Sequence, residues 1–542
     1  MPETIPLREL TLSHVLSQHA ARRPDKVFLT ELASGRQWTF SQLDTWTNQI
    51  AHALHSLGVD AGTHVGLLLE NSAEHIAVFL GLGKLAAVSV PVNTAARGDL
   101  LAYYLEHADV ELVVVDEDLV ARLAPVLPLL KRVRRVVTVG RFGQPCRDGG
   151  EQLGQASADL ASCVANASAA PVKQGPKFSS LVMLAYTSGT TGPSKASMVS
   201  HACALSYGTG GVEAHGYNAD DVFYVCLPLF HVNALLTSTI TALVCGACVV
   251  LAQRFSASRF FDEIRACKAT TTNLLGAMSS FLWARQPQAD DADNALRLVS
   301  VSPMPSFTQA FERRFGLRAV SNYGLSDFGT VTSLRADAPE SKRGSMGVPR
   351  SYFELRVVDD DDLECPVGEV GEIVLRSKQP WRAATGYYKM AQATADANRN
   401  QWFHTGDRAR RDEDGYLWFV DRKKDCIRRR GENISSFEVE QIVARHPAVG
   451  AVAVFPVSTP QQDEEVGAAV VLRDGHALGE RELVEYCAAR MSYFMVPRYL
   501  RFVSELPTTV NQKVEKFRLR ESMEAALDEV WDRERAGILL AR

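Results

Sequence analysis

The sequence predicts an α/β fold with a large N-terminal domain and a small C-terminal α+β domain. Short apolar runs alternate with amphipathic stretches through about the first four hundred residues, which is the pattern of a mainly parallel sheet with helices on both faces. From about Phe353 onward, short strands are separated by Asp/Gly turns, which indicates a β-rich subdomain. A new helix and strand pattern follows the charged stretch DRKKDCIRRRG, so the main domain boundary is predicted near residues 421–425.

The individual elements are predicted from hydrophobic periodicity. An amphipathic stretch predicts a helix at Leu43–Leu57, and apolar runs predict strands at Val65–Leu69, Val88–Val92, Leu112–Val115, Val136–Val139 and Val249–Leu251. The β-rich part is predicted to contain strands Leu355–Val358, Glu372–Arg376 and Tyr416–Val420. The C-terminal part is predicted to contain helices Ser436–Arg445 and Gly479–Arg490 and strands Val449–Phe455 and Gly467–Leu472.

Composition limits the classes of function. A chain of 542 residues exceeds the usual size of a single core, and 46% apolar with 22% charged residues is ordinary for a soluble globular protein. A net charge of −5 gives no general attraction to nucleic acid or to an anionic membrane. The start MPETIPLREL lacks the basic segment and apolar core of a secretory signal. The scattered cysteines fit reduced thiols, so a cytoplasmic protein is expected.

Two local patterns have competing interpretations. The CGAC run at Cys245–Cys248 lies in an apolar stretch without a second pair or a histidine ligand pattern, so inert buried thiols are favoured over a redox pair or a zinc site. The stretch Ala234–Ala252 approaches the length of a membrane span. Because threonines, a serine and Gly246 interrupt it, a buried helix followed by a strand is favoured.

The run Leu184–Lys195, LAYTSGTTGPSK, carries the strongest functional signal. Its hydroxyls, backbone amides and lysine can wrap and neutralise the oxygens of a polyphosphate, and its glycines permit tight turns. The residue order is not that of a Walker loop, and a simple Ser/Thr/Gly linker is the alternative. The candidate phosphate-binding residues are Thr187, Ser188, Gly189, Thr190, Thr191, Gly192 and Lys195.

Further motifs follow this run in a fixed order: YGLSD at Tyr323–Asp327, TGD at Thr405–Asp407, Asp421–Arg422 and LPTTVNQK at Leu506–Lys513. Together the motifs resemble the adenylate-forming, AMP-binding superfamily over roughly residues 10 to 525. The run from His404 to Ser435 is most similar to acyl-CoA ligases of the carnitine/crotonobetaine and fatty-acid type. The resemblance implies stacked αβ subdomains in an AMP- and acyl-binding domain of residues 1–421, a hinge at 422–425, and a mobile C-terminal domain of residues 426–542.

The resemblance also implies a two-step reaction. A carboxylic acid first reacts with ATP to give an acyl-adenylate and pyrophosphate, and the acyl group then passes to the thiol of coenzyme A. ATP, Mg²⁺ and coenzyme A are therefore the expected cofactors and co-substrates. Because the first step brings two anions together, the site must supply positive charge and oriented donors.

The implied ATP site has named contacts. Tyr323 is expected to stack on adenine, Asp407 to accept both ribose hydroxyls, and Arg422 to make a second ribose contact. Taken alone, Asp407 is more simply a turn residue that caps its own backbone. The other residues implied at the adenine and α-phosphate are Ser302, Asn322, Gly324, Leu325 and Ser326.

The implied catalytic residues are Lys513, Thr187, Lys195 and His231. The ammonium of Lys513 would offset charge repulsion during adenylation, with Lys516 as the competing lysine. Lys424 matches the hinge at which the small domain rotates between the two steps.

The implied acyl pocket contains His231, Val232, Asn233, Gly276, Ala277, Met278, Leu325 and Thr330. These residues are mostly small or apolar, which favours an acid with an apolar or weakly polar distal end. For coenzyme A, Arg428 and Arg430 would meet phosphates and Gly431 would line the pantetheine tunnel. A solvated basic loop is the alternative for these arginines.

The chain departs from the family pattern at three places. Asp327 replaces the usual glutamate that helps to hold Mg²⁺, so a bridging water is expected. Gln512 replaces a glycine beside Lys513, and VSVSPMP at Val299–Pro305 lacks paired glycines. These departures motivate one rival function, a catalytically degraded nucleotide-binding regulatory protein.

The nearer rival is an enzyme that loads the phosphopantetheine of a carrier protein. A GxxS carrier pattern is not evident after residue 525, which favours stand-alone ligation but leaves a carrier protein in trans open. A luciferase-like oxidation is less favoured, and a homodimer stays open.

Overall fold

The computed structural model describes residues 5–146, 153, 157–187, 194–283, 285–302, 304–305, 307–422, 426–458, 464–507, 514 and 516–540. By the density of its contacts the chain divides into two compact units. The first comprises residues 1–94, 105–185 and 196–421, and the second comprises residues 95–104, 186–195 and 422–542.

The strands are numbered in chain order. Those before residue 201 are β1 (Val27–Glu31), β2 (Gln37–Thr39), β3 (His64–Leu68), β4 (Val88–Pro91), β5 (Leu112–Asp116), β6 (Arg135–Val139), β7 (Ser157–Asp159), β8 (Leu181–Thr187) and β9 (Lys195–Ser200). The next are β10 (Val222–Val225), β11 (Cys248–Leu251), β12 (Thr271–Leu275), β13 (Leu298–Ser302), β14 (Arg318–Leu325), β15 (Gly329–Leu334) and β16 (Val348–Pro349).

The remaining strands lie between residue 353 and the C-terminal part of the chain. They are β17 (Phe353–Val358), β18 (Val370–Ser377), β19 (Phe403–Arg411), β20 (Leu417–Arg422), β21 (Cys426–Arg429), β22 (Glu432–Ser435), β23 (Val449–Ser458), β24 (Glu464–Leu472), β25 (Tyr499–Phe502) and β26 (Trp531–Asp532).

The α-helices are also numbered in chain order. They are α1 (Leu12–Arg22), α2 (Phe40–Ser56), α3 (Ala73–Lys84), α4 (Gly98–His107), α5 (Val120–Leu123), α6 (Leu160–Ala165), α7 (His201–His215), α8 (Thr241–Cys245), α9 (Phe260–Cys267), α10 (Gly276–Trp283), α11 (Thr308–Phe315), α12 (Ala391–Ala397), α13 (Ser436–Val443), α14 (Glu480–Ala488) and α15 (Lys516–Ala525). A π-helix covers Asn233–Ile240. No helix in the described part of the chain combines the length and apolar character that a membrane crossing requires.

The first unit is built on three sheets. A nine-stranded sheet has the order β16-β15-β14-β13-β12-β10-β11-β1-β2, and a seven-stranded sheet has the order β7-β6-β5-β3-β4-β8-β9. The pairs from β11 through β10, β12 and β13 to β14 are parallel, and so are those from β4 through β3, β5 and β6 to β7. The β-rich part forms a sheet in the order β17-β18-β19-β20. The predicted α/β class and the β-rich subdomain are confirmed.

Local sequence signals explain where the helices begin and end. Ser200 caps α7 by accepting a hydrogen bond from the Cys203 N–H at 3.1 Å, and Gly216 ends it in the left-handed conformation, with a φ of 65°. Thr39 and Gln42 form a capping box at the start of α2. The core behind these helices is dominated by Val, Leu, Ile and Phe side chains that are almost completely buried.

The stretch that approaches the length of a membrane span folds as buried helix and strand. The π-helix and α8 are followed by the turn at Gly246 and then by β11 in the nine-stranded sheet. Cys245 and Cys248 are free, and burial raises the pKa of the Cys245 thiol to about 12. A thiol with so high a pKa stays protonated and unreactive at neutral pH.

The second unit contains the hairpin β21–β22 and a four-stranded sheet in the order β23-β24-β25-β26. Strands β23 and β24 are antiparallel, and β24 and β25 are parallel. Phe455, Val457, Tyr499 and Met523 belong to its buried apolar cluster. Helix α15 contributes to this cluster through Met523 and Leu519.

Candidate active site

Most of the predicted adenylate-site residues in the first unit lie at one edge of the nine-stranded sheet. Strands β10, β12, β13 and β14 are neighbours and run parallel, so their carboxyl ends meet at the same edge. Ligands of open α/β sheets bind outside the carboxyl ends of the strands. The predicted residues at or just after these ends are His231, Val232, Asn233, Gly276, Met278, Ser302, Asn322, Tyr323, Leu325 and Ser326.

The structure brings the proposed adenine and ribose residues into direct contact. The Tyr323 hydroxyl donates a hydrogen bond to Asp407 Oδ2 at 2.8 Å, although Tyr323 lies on β14 and Asp407 on β19. Asp407 is only 7% exposed. A buried carboxylate held by a charge-assisted hydrogen bond has a fixed orientation.

Gly324 has a structural reason to be glycine. The register of β14 against β15 shifts between Tyr323 and Gly324. A Cβ added at Gly324 would lie 2.2 Å from the carbonyl oxygen of Gly329, so no larger residue fits without moving the hairpin. This close approach sets the position of Tyr323, and Thr330, which pairs with Gly324, is buried beside it.

The Asn322 side chain is held by a buried polar network. Its Oδ1 accepts hydrogen bonds from His215 Nε2 at 3.0 Å, Ser333 Oγ at 2.6 Å and Arg350 at 3.2 Å, and its Nδ2 donates to Ser300 Oγ at 3.1 Å. Burial lowers the pKa of His215 to about 4, so the ring is neutral and donates through Nε2. Since these protein groups occupy the amide, Asn322 serves mainly to support β14.

Ser302 joins the ends of β13 and β14. Its hydroxyl donates to the Asn322 carbonyl at 2.9 Å. On the other side of the turn, the Tyr207 hydroxyl of α7 donates to the Ser326 carbonyl at 3.1 Å. These two contacts fix the backbone on both sides of Tyr323.

Asp327 is held more tightly than its sequence motif suggests. Its Oδ1 accepts a hydrogen bond from Ser197 Oγ at 2.6 Å, Tyr387 hydrogen-bonds to the same carboxylate, and Ser197 and Asp327 are buried. No cluster of three or more metal-ligating side chains occurs in the described part of the chain. Mg²⁺ usually binds through one or two carboxylates with waters and substrate phosphates, and a carboxylate accepts up to about four hydrogen bonds. The donor set therefore fits a water-mediated contact.

The acyl-pocket residues follow β10 and β12. His231 is partly exposed, its ring centroid lies 4.6 Å from that of Phe230, and its carbonyl accepts the Leu235 N–H at 3.1 Å. Asn233, at the start of the π-helix, accepts a hydrogen bond from Asn273 Nδ2 at 3.0 Å. Sequence analysis missed Asn273, whose partners are far away in the chain.

The other predicted pocket residues surround the start of α10. Met278 is buried, and its sulfur accepts the Leu275 N–H at 3.5 Å. Gly276 is the first residue of the helix, and its carbonyl accepts the Ser279 hydroxyl at 2.6 Å. The side chain of Ala277 lies outside the described residues.

Strands β8 and β9 precede and follow the phosphate-loop motif along the chain. Thr187 Oγ1 donates to the Lys195 carbonyl at 3.3 Å, which joins the two ends of the loop. Ser188, Gly189, Thr190, Thr191 and Gly192 lie outside the described residues.

The residue before Lys195 has a partner that sequence analysis missed. The Ser194 N–H donates to Glu438 Oε1 at 2.6 Å, and the Tyr103 hydroxyl donates to the Ser194 carbonyl at 2.8 Å. Burial raises the pKa of Glu438. Only the structure reveals this role, because a helix-starting glutamate gives no sequence signal of a contact with the phosphate loop.

Part of the charged stretch DRKKDCIRRRG forms a hairpin rather than a solvated loop. In β21, Ile427 and Arg429 are buried while Arg428 is exposed. Buried and exposed residues therefore alternate as expected for a strand, and one of the buried residues is an arginine. Arg429 lies 2.5 Å from Glu465 in an ion pair. The sequence prediction missed the strand because arginine does not count as apolar.

The proposed coenzyme A residues lie at the tip of this hairpin. Arg430 and Gly431 both have positive φ, 49° and 87°, as a type I′ turn requires. Arg430 is half-exposed and lies 3.4 Å from Glu465 and 3.7 Å from Glu534. The Arg428 N–H donates to Glu464 at 2.5 Å.

The remaining predicted residues are the cations near the domain boundary and in the C-terminal part. Lys424 and Lys513 lie outside the described residues, and Arg422 ends β20 but its side chain is not described. The competing Lys516 donates to Ser436 Oγ at 2.9 Å and pairs with Glu440 at 2.7 Å.

The family model of the AMP-binding enzyme matches residues 16–388, and that of the AMP-binding enzyme C-terminal domain matches residues 438–513. The crotonobetaine/carnitine–CoA ligase of Salmonella paratyphi A is 30% identical over 492 residues, which cover 90% of this chain and 93% of that protein.

Two solved structures have a similar fold. A double mutant of o-succinylbenzoate CoA synthetase from Bacillus subtilis, bound to a product analogue, matches with a TM-score of 0.81 and 22% identity, covering 94% of this chain and 98% of that one. At such an identity the match shows the fold alone. The amide bond synthetase of Marinactinospora thermotolerans matches with a TM-score of 0.80 and 25% identity, and the match covers 94% of this chain and 99% of that one. Because the first family model spans most of the chain and the second follows it in order, this chain belongs to the AMP-binding enzyme family.

Proposed function

We propose that this chain is an adenylate-forming acid–CoA ligase, which joins a carboxylic acid to ATP, releases pyrophosphate and transfers the acyl group to coenzyme A. The observation that carries the proposal is the 2.8 Å hydrogen bond from Tyr323 to Asp407. It joins an aromatic ring suited to adenine with a carboxylate suited to two ribose hydroxyls. The CoA-ligase name of the relative that is 30% identical supports coenzyme A as the acceptor.

The nucleotide residues have separate roles in this proposal. Asp407 accepts the ribose hydroxyls, with Arg422 as a second ribose contact, while Tyr323 orients Asp407 and packs on the base. Ser326 contacts the region of the α-phosphate. The loop from Thr187 to Lys195 binds the β- and γ-phosphates. Ser302, Asn322, Gly324 and Leu325 hold this wall of the site in place.

Charge compensation decides the first step. The acid carboxylate attacks the α-phosphorus, so two anions must approach each other. Lys513 supplies the mobile ammonium that offsets their repulsion, and Lys195 contributes charge at the phosphates. Mg²⁺ bound with ATP neutralises phosphate charge, and Asp327 is the residue that would hold it through water.

The second step is assigned to the C-terminal domain, residues 426–542, which follows the hinge at Lys424. Arg428 and Arg430 would bind phosphates of coenzyme A, and Gly431 would allow the pantetheine arm to pass. His231 would lie where the acyl group meets the thiol. A cytoplasmic location, where coenzyme A is available and thiols stay reduced, is part of the same proposal.

The experiment incubates the full chain with ATP, Mg²⁺ and a mixed library of short, long and aromatic acids, and follows pyrophosphate release. Parallel arms receive coenzyme A, a carrier protein with its phosphopantetheine, a primary amine, or no acceptor. We expect mass spectrometry to find acyl-CoA products, and Asp407→Asn to suppress pyrophosphate release. Products only on the carrier protein or amine would change the acceptor, and silence with every acid would favour a regulatory protein.

A further inference from the structure

Strand β12 and the π-helix that follows β10 bring a pair of amide side chains together. Asn273 Nδ2, on β12, donates hydrogen bonds to Asn233 Oδ1 at 3.0 Å and to Ser238 Oγ at 2.9 Å. Asn233 and Ser238 belong to the π-helix. The three residues therefore form one polar cluster, and we call Asn233 and Asn273 the amide pair.

The π-helix explains how this cluster forms. Ser238 Oγ donates to the Asn233 carbonyl at 3.2 Å, and Thr239 Oγ1 donates to the Ala234 carbonyl at 2.9 Å. Both contacts join residues five apart. In an α-helix, residues five apart point in directions that differ by about 140°, whereas the wider π-helical turn brings them onto one face. π-helical turns are rare and often occur at functional sites.

The amide pair keeps hydrogen-bonding capacity for a ligand. Asn233 and Asn273 are partly exposed, while their neighbours Ala234, Thr272 and Leu274 are buried. Among contacts with described residues, Asn233 Nδ2 and Asn273 Oδ1 make no hydrogen bond. The pair thus offers one donor group and one acceptor group side by side.

The position of the pair points to the acyl group rather than to the nucleotide. Asn233 directly follows the predicted acyl-pocket residues His231 and Val232, and Asn273, on β12, lies three residues before Gly276. The contact between Tyr323 and Asp407, which marks the ribose, belongs to β14 and β19. Strand β13 separates β12 from β14 in the sheet.

The chemistry of the cluster favours an uncharged group. No arginine, lysine or carboxylate makes a hydrogen bond to it in the described part of the chain. Arg350, the buried cation near β14, instead donates to Asn322 and Ser333. A neutral hydroxyl or amide can both accept from Asn233 Nδ2 and donate to Asn273 Oδ1, whereas a second carboxylate would lack a countercharge.

We propose that Asn233 and Asn273 determine substrate specificity by selecting carboxylic acids that carry an uncharged hydrogen-bonding group away from the reacting carboxylate. This inference rests on the proposed function and deepens it by naming the class of acid. A bound acid covers these amides, and an apolar analogue then leaves their polar atoms both unpaired and cut off from water, which disfavours its binding.

The test compares matched acids in pyrophosphate release. The pairs are 4-hydroxybenzoate against 4-methylbenzoate, and 5-hydroxypentanoate against hexanoate. For whichever pair is activated, we expect wild-type kcat/KM to favour the hydroxy acid by about tenfold or more. Asn273→Leu, which is close in size, should reverse or abolish this preference, mainly through KM for the hydroxy acid.

Thr272→Val is the matched control. Thr272 is the neighbouring residue of β12, its side chain points to the opposite face, and its Oγ1 donates to the Tyr224 carbonyl at 2.8 Å. Thr272→Val should leave the ratio of kcat/KM for the hydroxy acid to kcat/KM for its apolar partner unchanged. If Asn273→Leu does not fold, Asn233→Ala at a partly exposed position carries the same test.

The outcomes separate the two proposals. A wild-type enzyme that activates both members of each pair equally, one that activates other acids but neither hydroxy acid, or variants that keep the wild-type ratio would overturn the role of the amide pair and leave the ligase function intact. Absence of pyrophosphate with every acid would overturn both proposals.

Discussion

Replacing Tyr323 with phenylalanine tests the geometry at the ribose site. The change removes one hydroxyl and keeps the ring. In the structure that hydroxyl donates to Asp407 Oδ2 at 2.8 Å, and Asp407 is 7% exposed, so water replaces the lost donor poorly. A hydrogen bond to a charged group contributes about 1.5–3 kcal/mol, which corresponds to about 10- to 100-fold in an equilibrium constant. Allowing for partial relaxation of Asp407, we expect KM for ATP to rise about tenfold.

The assay is pyrophosphate exchange at varied ATP, with nucleotide affinity measured separately by equilibrium binding. Tyr388→Phe is a matched control, because the Tyr388 hydroxyl donates to Asp109 Oδ2 at 2.9 Å in a Tyr–Asp pair outside the proposed nucleotide residues. Its KM for ATP should stay at the wild-type value. An unchanged KM and affinity in Tyr323→Phe would refute the role assigned to this contact.

Three further predictions concern charge. Lys513→Ala should slow adenylate formation by about 10²-fold or more while thioester formation from supplied acyl-adenylate stays largely intact; equal losses in both steps would refute the assignment. Asp327→Asn should raise the Mg²⁺ concentration for half-maximal pyrophosphate release by about tenfold, and Ser197→Ala should shift it less; an unaltered Mg²⁺ dependence would remove Asp327 from the metal site. Burial lowers the pKa of His201 to about 3, so the unfolded chain binds a proton that the folded chain does not, and stability present above about pH 6.5 is lost as pH falls toward 3. The free energy of unfolding of the wild type, measured with urea, should fall between pH 6.5 and 5, and in His201→Asn this fall should be smaller by about 2 kcal/mol. The same pH dependence in variant and wild type would contradict a buried neutral ring at His201.

Much of the fold follows from hydrophobic periodicity. The predicted strand at Val88–Val92 is observed at Val88–Pro91, and the predicted helix at Ser436–Arg445 ends at Val443. Such boundaries are predictable because continuous apolar runs suit strands buried on both faces of a parallel sheet. The membrane alternative for Ala234–Ala252 fails because the stretch is divided at Gly246 into short buried helices and strand β11 of the nine-stranded sheet.

What sequence analysis missed depends on long-range pairing. Strand β21 was hidden because buried Arg429 relies on Glu465, and no local pattern shows such a partner. The pair Asn233 and Asn273 meets only through a π-helical turn and the order of strands in the sheet. The contact of Ser194 with Glu438 joins residues far apart in the chain.

The site was predicted as a set of motifs, not as a geometry. The motif at Tyr323 and the one at Asp407 each suggested a nucleotide contact, and the structure adds their direct hydrogen bond. The roles of Lys513, Lys424 and the loop residues between Thr187 and Lys195 remain predictions, as does the domain boundary near residues 421–425.

Isotope transfer tests the central claim most directly. An acid activated in the library experiment is labelled with ¹⁸O in both carboxylate oxygens and turned over with ATP and coenzyme A. Attack of the carboxylate on the α-phosphorus predicts one ¹⁸O in the AMP formed and none in pyrophosphate. Label in inorganic phosphate with release of ADP, or AMP free of label, would contradict activation through an acyl-adenylate.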